Sequence, residues 1–479
     1  MMIKNKITML FITGIIMACN PKDVVTSDNP EIINPTETEG TIKPPNNLNK
    51  LLIPELIDTR SRVTPVQIDI QEGNHEFVKG IKSQTKGFNG NYLGPTILMR
   101  KGDDVKINFT NLIGESTTVH GHGLHVPGNV DGGPQLQIRA GQTWDVTLPI
   151  RQEASTNWYH PHLMGKTAEH VHAGLAGLYL IEDDNSENLN LPKTYGYDDI
   201  PIVVQDRTFV NGVMKNYPVG QKDDLREPTL VINGTIDPYV QVPKGNVRLR
   251  LLNGSNARSY KFFIKGNVPF EKIATEGGFL EAPVTLTSIV MAPGERNEII
   301  VDMSTNKDVE LMAYYLPKNL SKANPNKDEL HRVLYLQRNK HLEVKNKSIP
   351  GSLNMIQRYN PSDVQNTRRF KISNGKINDV SMDMNVINER VTKGILEKWI
   401  VNSGRHPFHM HGVSFLILSE NGGVPKPENR GWKDTFMPNG KGEILLRFDY
   451  EAPDEFPYMY HCHILEHEDH GMMGQFTVK

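Results

Sequence analysis

Residues 101–111 read KGDDVKINFTN, and the phrase returns as KGNVRLRLLN from Lys244 and KGILEKWIVN from Lys393. Each copy sets Lys-Gly before an apolar run that closes on Asn, and the three starts lie 143 and 149 residues apart. Within them VKINF (105–109) and VRLRL (247–251) alternate apolar and polar side chains, the pattern of a half-buried strand. Around them run similar short segments broken by Gly, Pro and Asn, with few long amphipathic helical patterns. The fold class is therefore all-β. A repeat of this length suits a whole β-sandwich domain rather than a solenoid unit, and 479 residues are too many for one core. Three consecutive domains are expected, at residues 51–185, 186–350 and 351–479.

Ahead of them, Lys4 and Lys6 precede a mostly apolar run from Ile7 to Met17, followed by Ala18 and Cys19. That order is the architecture of an export signal. The run is too short for a membrane span, which takes about 20 residues in a helix. IMAC at 16–19 resembles a bacterial lipoprotein cleavage box. Residues 1–18 would then be the signal peptide and Cys19 the lipidated first residue; an ordinary secretory signal cut nearby is the alternative. Residues 19–50, rich in Asn, Pro, Thr and acids, are expected to form a flexible tether. Either signal puts the protein outside the cytoplasm, and the lipoprotein reading makes it periplasmic or outer-membrane-attached in a bacterial envelope. The net charge of −2 leaves no basic surface for nucleic acid.

With Cys19 assigned to the leader, Cys462 is the only cysteine of the body, so an intrachain disulfide there is impossible. A lone thiol in an oxidising compartment is a liability unless something occupies it. Cys462 stands in HCHILEHEDHGMM (461–473), crowded by imidazoles and thioethers. A thiolate with two imidazoles and a weak axial Met is the donor set of a blue electron-transfer copper site; His467 and Met472 lie just downstream, and His406 can complete it. Four His-x-His pairs accompany it: His120/His122, His160/His162, His409/His411 and His461/His463. They fall in the first and third units, whereas residues 186–345 hold only His331 and His341. On a strand, residues two apart share a face about 7 Å apart, so eight imidazoles from two domains can meet in one cluster. The same alternation turns Cys462 away from His461 and His463, toward a second metal centre a few covalent bonds off. That is a path for an electron.

HGHGLHVPGNVDGGPQ (120–135), WYHPHLMGKT (158–167), HPFHMHG (406–412) and HCHILEHEDHGMM resemble, in order, the four copper motifs of the multicopper oxidases. GLAGLYLIED (174–183) and GWKDT (431–435) extend the likeness over nearly the whole body. It is greatest to the bacterial three-domain group of cuprous oxidases, bilirubin oxidases and spore-coat laccases. The resemblance implies three cupredoxin-like Greek-key β-sandwiches and four copper ions. His406, Cys462, His467 and Met472 would form the type 1 site. His120 and His409 would bind the type 2 copper, and His122, His160, His162, His411, His461 and His463 the type 3 pair. The implied reaction oxidises four substrate equivalents by one electron each and reduces dioxygen to two waters. Protons must reach a buried cluster, which a carboxylate can relay. Asp131 and Glu468 match positions with that role; for Asp131, a turn cap before Gly132-Gly133 is the alternative. Asp434, a supporting group or a plain loop acid, is not assigned.

The chain also departs from the pattern. Gly121 stands where the family often has a large aromatic, and Met164 where relatives often carry a further, non-ligating histidine. His125, His170, His172 and His470 are expected at the surface or behind the ligands. Cuprous oxidases of the group typically carry a long insertion rich in Met and His near the start of the third domain. Here GSLNMIQRYNPSDVQNTRRF (351–370) holds only Met355, and VNSGR leads straight into His406. For Met382 and Met384, packing and metal binding stay equally open. The expected activity is laccase-like, on phenols or metal ions, with a dedicated cuprous oxidase as the alternative. From another class come a noncatalytic envelope scaffold and a copper-sequestering protein; scaffolds of this kind lose ligands, whereas this chain keeps the set. A monomer is expected.

Overall fold

The computed structural model describes residues 45–305, 307–317, 329–346 and 348–479. The expected signal peptide and Cys19 lie outside them. Among the described residues no helix is long and apolar enough to cross a membrane.

Strands dominate, and they build three cupredoxin-like sandwiches in chain order. The first packs a four-stranded sheet on a five-stranded one, the second two six-stranded sheets, and the third two five-stranded sheets. Each closes over its own apolar core, centred for example on Ile107 and Phe109, on Leu249 and Ile299, and on Trp399 and Phe476.

The sequence repeat is a structural repeat. Asp104–Asn111, Asn246–Asn253 and Glu397–Gly404 are central strands, each parallel to an earlier strand and antiparallel to a later one. The glycine of each Lys-Gly has a positive φ, 105° at Gly102, 120° at Gly245 and 80° at Gly394, where a side chain would be strained. Asn111 and Asn253 then close their strands alike. The side-chain oxygen of each accepts an N–H two residues on, from Ile113 and Ser255, and each Nδ2 donates to a distant carbonyl, Ile138 and Met291. The third copy breaks this rule: Asn402 is exposed in mid-strand, and the strand runs on to Gly404.

Two expectations change. Asn49–Lys50, at the end of the expected tether, is already a strand, paired in parallel with Pro238–Val242 of the second sandwich. VRLRL is not half-buried, because the whole of Asn246–Asn253 is buried. Arg248 and Arg250 are buried as paired charges, and Arg250 reaches the neighbouring sandwich. Arg250 donates to Asp199 at 2.8 Å and to Thr156 of the first domain at 2.9 Å, and Arg248 donates to Glu298 at 2.8 Å. Pairing makes the burial of these charges tolerable.

Strand pairing also carries the histidine motifs. His120–His122 pairs with Ser155–His160 in the first domain, setting His120 opposite His160. Phe408–Met410 pairs with Tyr458–Cys462 in the third, setting His409 opposite His461 and Phe408 opposite Cys462.

Candidate metal centre

Of the four His-x-His pairs only His120/His122 lies wholly on a strand; the others straddle strand ends. The alternation still holds where it matters. His461 and His463 enter a cluster with the other six imidazoles, while Cys462 faces His406 and His467.

The eight imidazoles fall into three groups. The ring nitrogens of His122, His160 and His463 form one, and those of His162, His411 and His461 a second. Within them His122 Nδ1 is 3.4 Å from His160 Nε2 and 3.2 Å from His463 Nε2; His461 Nε2 is 3.2 Å from His162 Nε2 and 3.4 Å from His411 Nε2. His120 and His409 are the third pair, and the Nε2 atom of each is buried without a partner. The two domains interleave here: the His120 ring stacks on His411 at 3.8 Å and the His122 ring on His409 at 3.7 Å.

The far edges of these rings are held by acceptors. His120 Nδ1 donates to Asp131 O at 2.8 Å, His409 Nδ1 to Asp434 O at 2.9 Å, and His160 Nδ1 to Pro161 O at 2.9 Å. Such bonds fix the tautomer and leave the inward nitrogen its lone pair. His122 is turned round, with Nε2 on Asp434 Oδ1 at 3.2 Å and Nδ1 inward. Burial first, and neighbouring histidines next, hold His160, His411 and His463 well below the ordinary imidazole range. Burial likewise brings His162 to about 3 and His409 to about 4. Imidazoles whose inward nitrogens converge in this way fit metal ions, and among the described residues the inward nitrogens of His120 and His409 have no partner.

At the second centre Cys462 Sγ lies 3.4 Å from His406 Nδ1 and 3.6 Å from His467 Nδ1. Met472 is buried in the same core cluster as Cys462. Its carbonyl accepts from Cys462 N at 3.1 Å and its N–H donates to His467 O at 2.9 Å, which ties three of the four residues together. Burial pushes the Cys462 thiol well above its ordinary pKa, so a bound metal would displace its proton. His406, Cys462 and His467 fit one soft cation.

Both assigned carboxylates touch the cluster. The turn before Gly132-Gly133 is closed by the main chain of Asp131, whose N–H goes to Gly128 O. Its side chain is therefore free to accept from His411 Nδ1 at 2.7 Å, and it also lies 3.3 Å from His120 Nδ1. Glu468, on the short helix Leu465–Asp469, sets one oxygen 3.2 Å from His461 Nδ1 and the other 3.4 Å from His162 Nδ1.

Three further contributors appear, of which the sequence raises only Asp434, without assigning it. Asp434 bridges His122 and His409. Arg296 of the middle domain grips Asp434 through both terminal guanidinium nitrogens, at 2.8 and 2.6 Å. Asp224, also of the middle domain, lies 2.9 Å from His467 Nε2. GWKDT pointed to Asp434; no motif marks the other two. Of the four spare histidines, His470 is exposed and His125 half-buried, but His170 and His172 are fully buried rather than at the surface.

Three family models, each described as multicopper oxidase, match residues 69–186, 182–340 and 350–479. The multicopper oxidase mco of Staphylococcus aureus is 37% identical, over 90% of this chain and 92% of its own. The cell division protein FtsP of Photorhabdus laumondii is 36% identical, over 90% and 93%. Among solved structures, a laccase-like multicopper oxidase CueO from Ochrobactrum sp., with oxidase activity towards lignin model compounds, is 35% identical. It superposes with a TM-score of 0.83, over 90% of this chain and 100% of its own.

Proposed function

The chain belongs to the multicopper oxidase family, and from that premise we propose that it couples four one-electron oxidations of a small reductant to reduction of dioxygen to two waters. One observation carries the reading: Cys462 faces a two-histidine site while its neighbours in the chain, His461 and His463, belong to the eight-histidine cluster. A sequestering protein needs two such sites no more than one, and it does not need them joined.

In this reading His406, Cys462, His467 and Met472 hold a type 1 copper, His120 and His409 a type 2 copper, and the other six histidines a type 3 pair. Copper held at these residues would supply one-electron redox chemistry. The chain supplies the rest. The fixed tautomers present lone pairs without rearrangement, and the interleaved domains exclude bulk water from the cluster. Asp131 accepts from His411 Nδ1 and Glu468 spans His461 and His162, so each stands where a proton can be handed to a buried oxygen species. His406 and His467, the two partly exposed ligands, give reductant its approach, and Asp224 holds the outer nitrogen of the His467 ring.

The substrate is a phenol or a metal ion in laccase-like fashion, since neither the insertion nor the acid-and-methionine run of dedicated cuprous oxidases is present. The protein is taken to act in the bacterial envelope as a monomer, anchored through Cys19. A second reading, a noncatalytic part in cell division, draws on the relatives of that name; the complete donor set favours turnover. Oxygen uptake by the copper-loaded protein, measured with a phenol and separately with cuprous ion, separates them. Uptake with the phenol is expected. Uptake with cuprous ion alone would indicate the dedicated cuprous oxidase, and no uptake at full copper loading would indicate the scaffold or a sequestering protein.

A further inference from the structure

Five methionines form one packed cluster at the seam between the first and third sandwiches. Met382, Met459 and Met473 are buried, and Met164 and Met384 are half-buried against them. Met459 precedes His461 by two residues on Tyr458–Cys462, and Met473 pairs directly with His461 from the next strand. Side chains two apart, or directly paired, share a sheet face, so both thioethers stand on the face that carries His461. Met164 follows His162 by two residues across the seam. The Met382 N–H donates to Gly471 O at 2.9 Å, next to Met472. The Met384 carbonyl accepts from Gln475 Nε2 at 2.9 Å, and Gln475 Oε1 accepts from Gln135 of the first domain at 2.8 Å.

Burial alone does not call for sulfur. Leu, Ile and Val fill the neighbouring cores, lose less rotamer freedom than Met and define their packing better. Yet every member of this cluster is methionine. A neutral thioether offers a lone pair that soft monovalent cations take and hard ions refuse. The two half-buried members open the cluster to solvent, so an ion has a way in. Met355, 87% exposed in the third domain, takes no part.

We propose that this cluster is a binding site for a soft monovalent cation, cuprous or silver ion, separate from the histidine and cysteine centres. It goes beyond the oxidase reading, because a cation can be held here with no electron leaving it. The test is a titration of the copper-loaded protein with silver nitrate in chloride-free buffer. Native mass spectrometry counts the ions, and resonances of isotope-labelled methionine methyls locate them. The expected result is a further silver ion per chain at unchanged copper content, with shifts at Met164, Met382 and Met384. A variant carrying Met164→Leu, Met382→Leu and Met384→Leu, with blue absorption and unfolding midpoint as in the parent, should bind silver at least about tenfold more weakly. A purely apolar cluster tolerates such near-isosteric exchange and would show no difference. Should the triple variant fail to fold, Met384→Leu alone, at the rim, gives the same comparison. Silver taken up only by displacing copper, shifts confined to Met355, or equal affinity in parent and variant would each overturn the proposal.

Discussion

The Arg296 guanidinium and the Asp434 carboxylate form a two-pronged ion pair, both side chains about 1% exposed, that joins the middle sandwich to the third. Asp434 also reaches His122 of the first sandwich and, through its carbonyl, His409 of the third. Burial on its own would push this carboxyl up, but Arg296, His122 and His409 together outweigh it and hold the carboxyl well below its usual range. Arg296→Met leaves an unpaired buried charge, which costs about 3–5 kcal/mol, and loosens the support of two imidazoles, which lowers metal affinity about 10–100-fold. The expected outcome is loss of copper from the histidine cluster while blue absorption at the cysteine centre persists. Copper counted per chain, beside the absorption spectrum and the unfolding midpoint, checks it. Adding Asp434→Asn to the same chain removes the stranded charge and should recover part of the midpoint but not the copper.

Cys462→Ser tests the other centre. The sulfur at 3.4 and 3.6 Å from two imidazoles is replaced by a hard hydroxyl that remains protonated and binds copper weakly. The variant should be colourless, hold one copper fewer than the parent, and consume oxygen no faster than copper-free protein. The paired strand keeps His461 in place, so copper in the cluster should survive. Full turnover without the sulfur would remove the electron path on which the proposed function depends.

The metal motifs were legible because their chemistry demands residue types at spacings a strand can present: Cys462 and its flanking histidines face opposite ways as period-two geometry requires. The sandwich repeat was legible for a similar local reason, a positive-φ glycine before each central strand. What alternation cannot tell is what covers a strand's second face. Arg248 and Arg250 read as solvent-facing positions and are instead buried, Arg250 against Thr156 of the first domain. Asp224 and Arg296 come from the unit without ligands, so no histidine spacing led to them. Met382 and Met384 met Met164 only through the packing of two domains.

Glu468→Gln and Asp131→Asn separate proton delivery from metal holding. Each amide keeps a carbonyl oxygen to accept from one of the two imidazoles beside it, so copper content and blue absorption should stay as in the parent. Neither can take up and release a proton, and a positioned acid–base group contributes about 10²–10⁴-fold. Turnover should fall by about 10² or more, with the rate during steady oxygen reduction losing its dependence on proton supply. Single-turnover bleaching of the blue absorption by a phenol should be unaffected, because it calls on no proton at the cluster. If copper is lost together with turnover, the carboxylates serve only to hold the ligands.

His172 yields a pH dependence away from any metal. It is 1% exposed on helix Thr167–Ala173, with Nε2 2.9 Å from Glu227 of the middle sandwich. Burial first, and the charge of Arg207 next, hold its pKa below the ordinary imidazole value although Glu227 pulls the other way. As pH falls through about 6.5 the unfolded chain takes up a proton, while the folded chain does so only at lower pH. The unfolded state then binds more protons, so stability drops across that window and is retained above it. His172→Gln keeps a donor to Glu227 and cannot be protonated. Its urea midpoint should therefore fall less than that of the parent between about pH 7.5 and about pH 5.5. Equal slopes in the two proteins would mean that the buried ring takes up its proton as readily folded as unfolded.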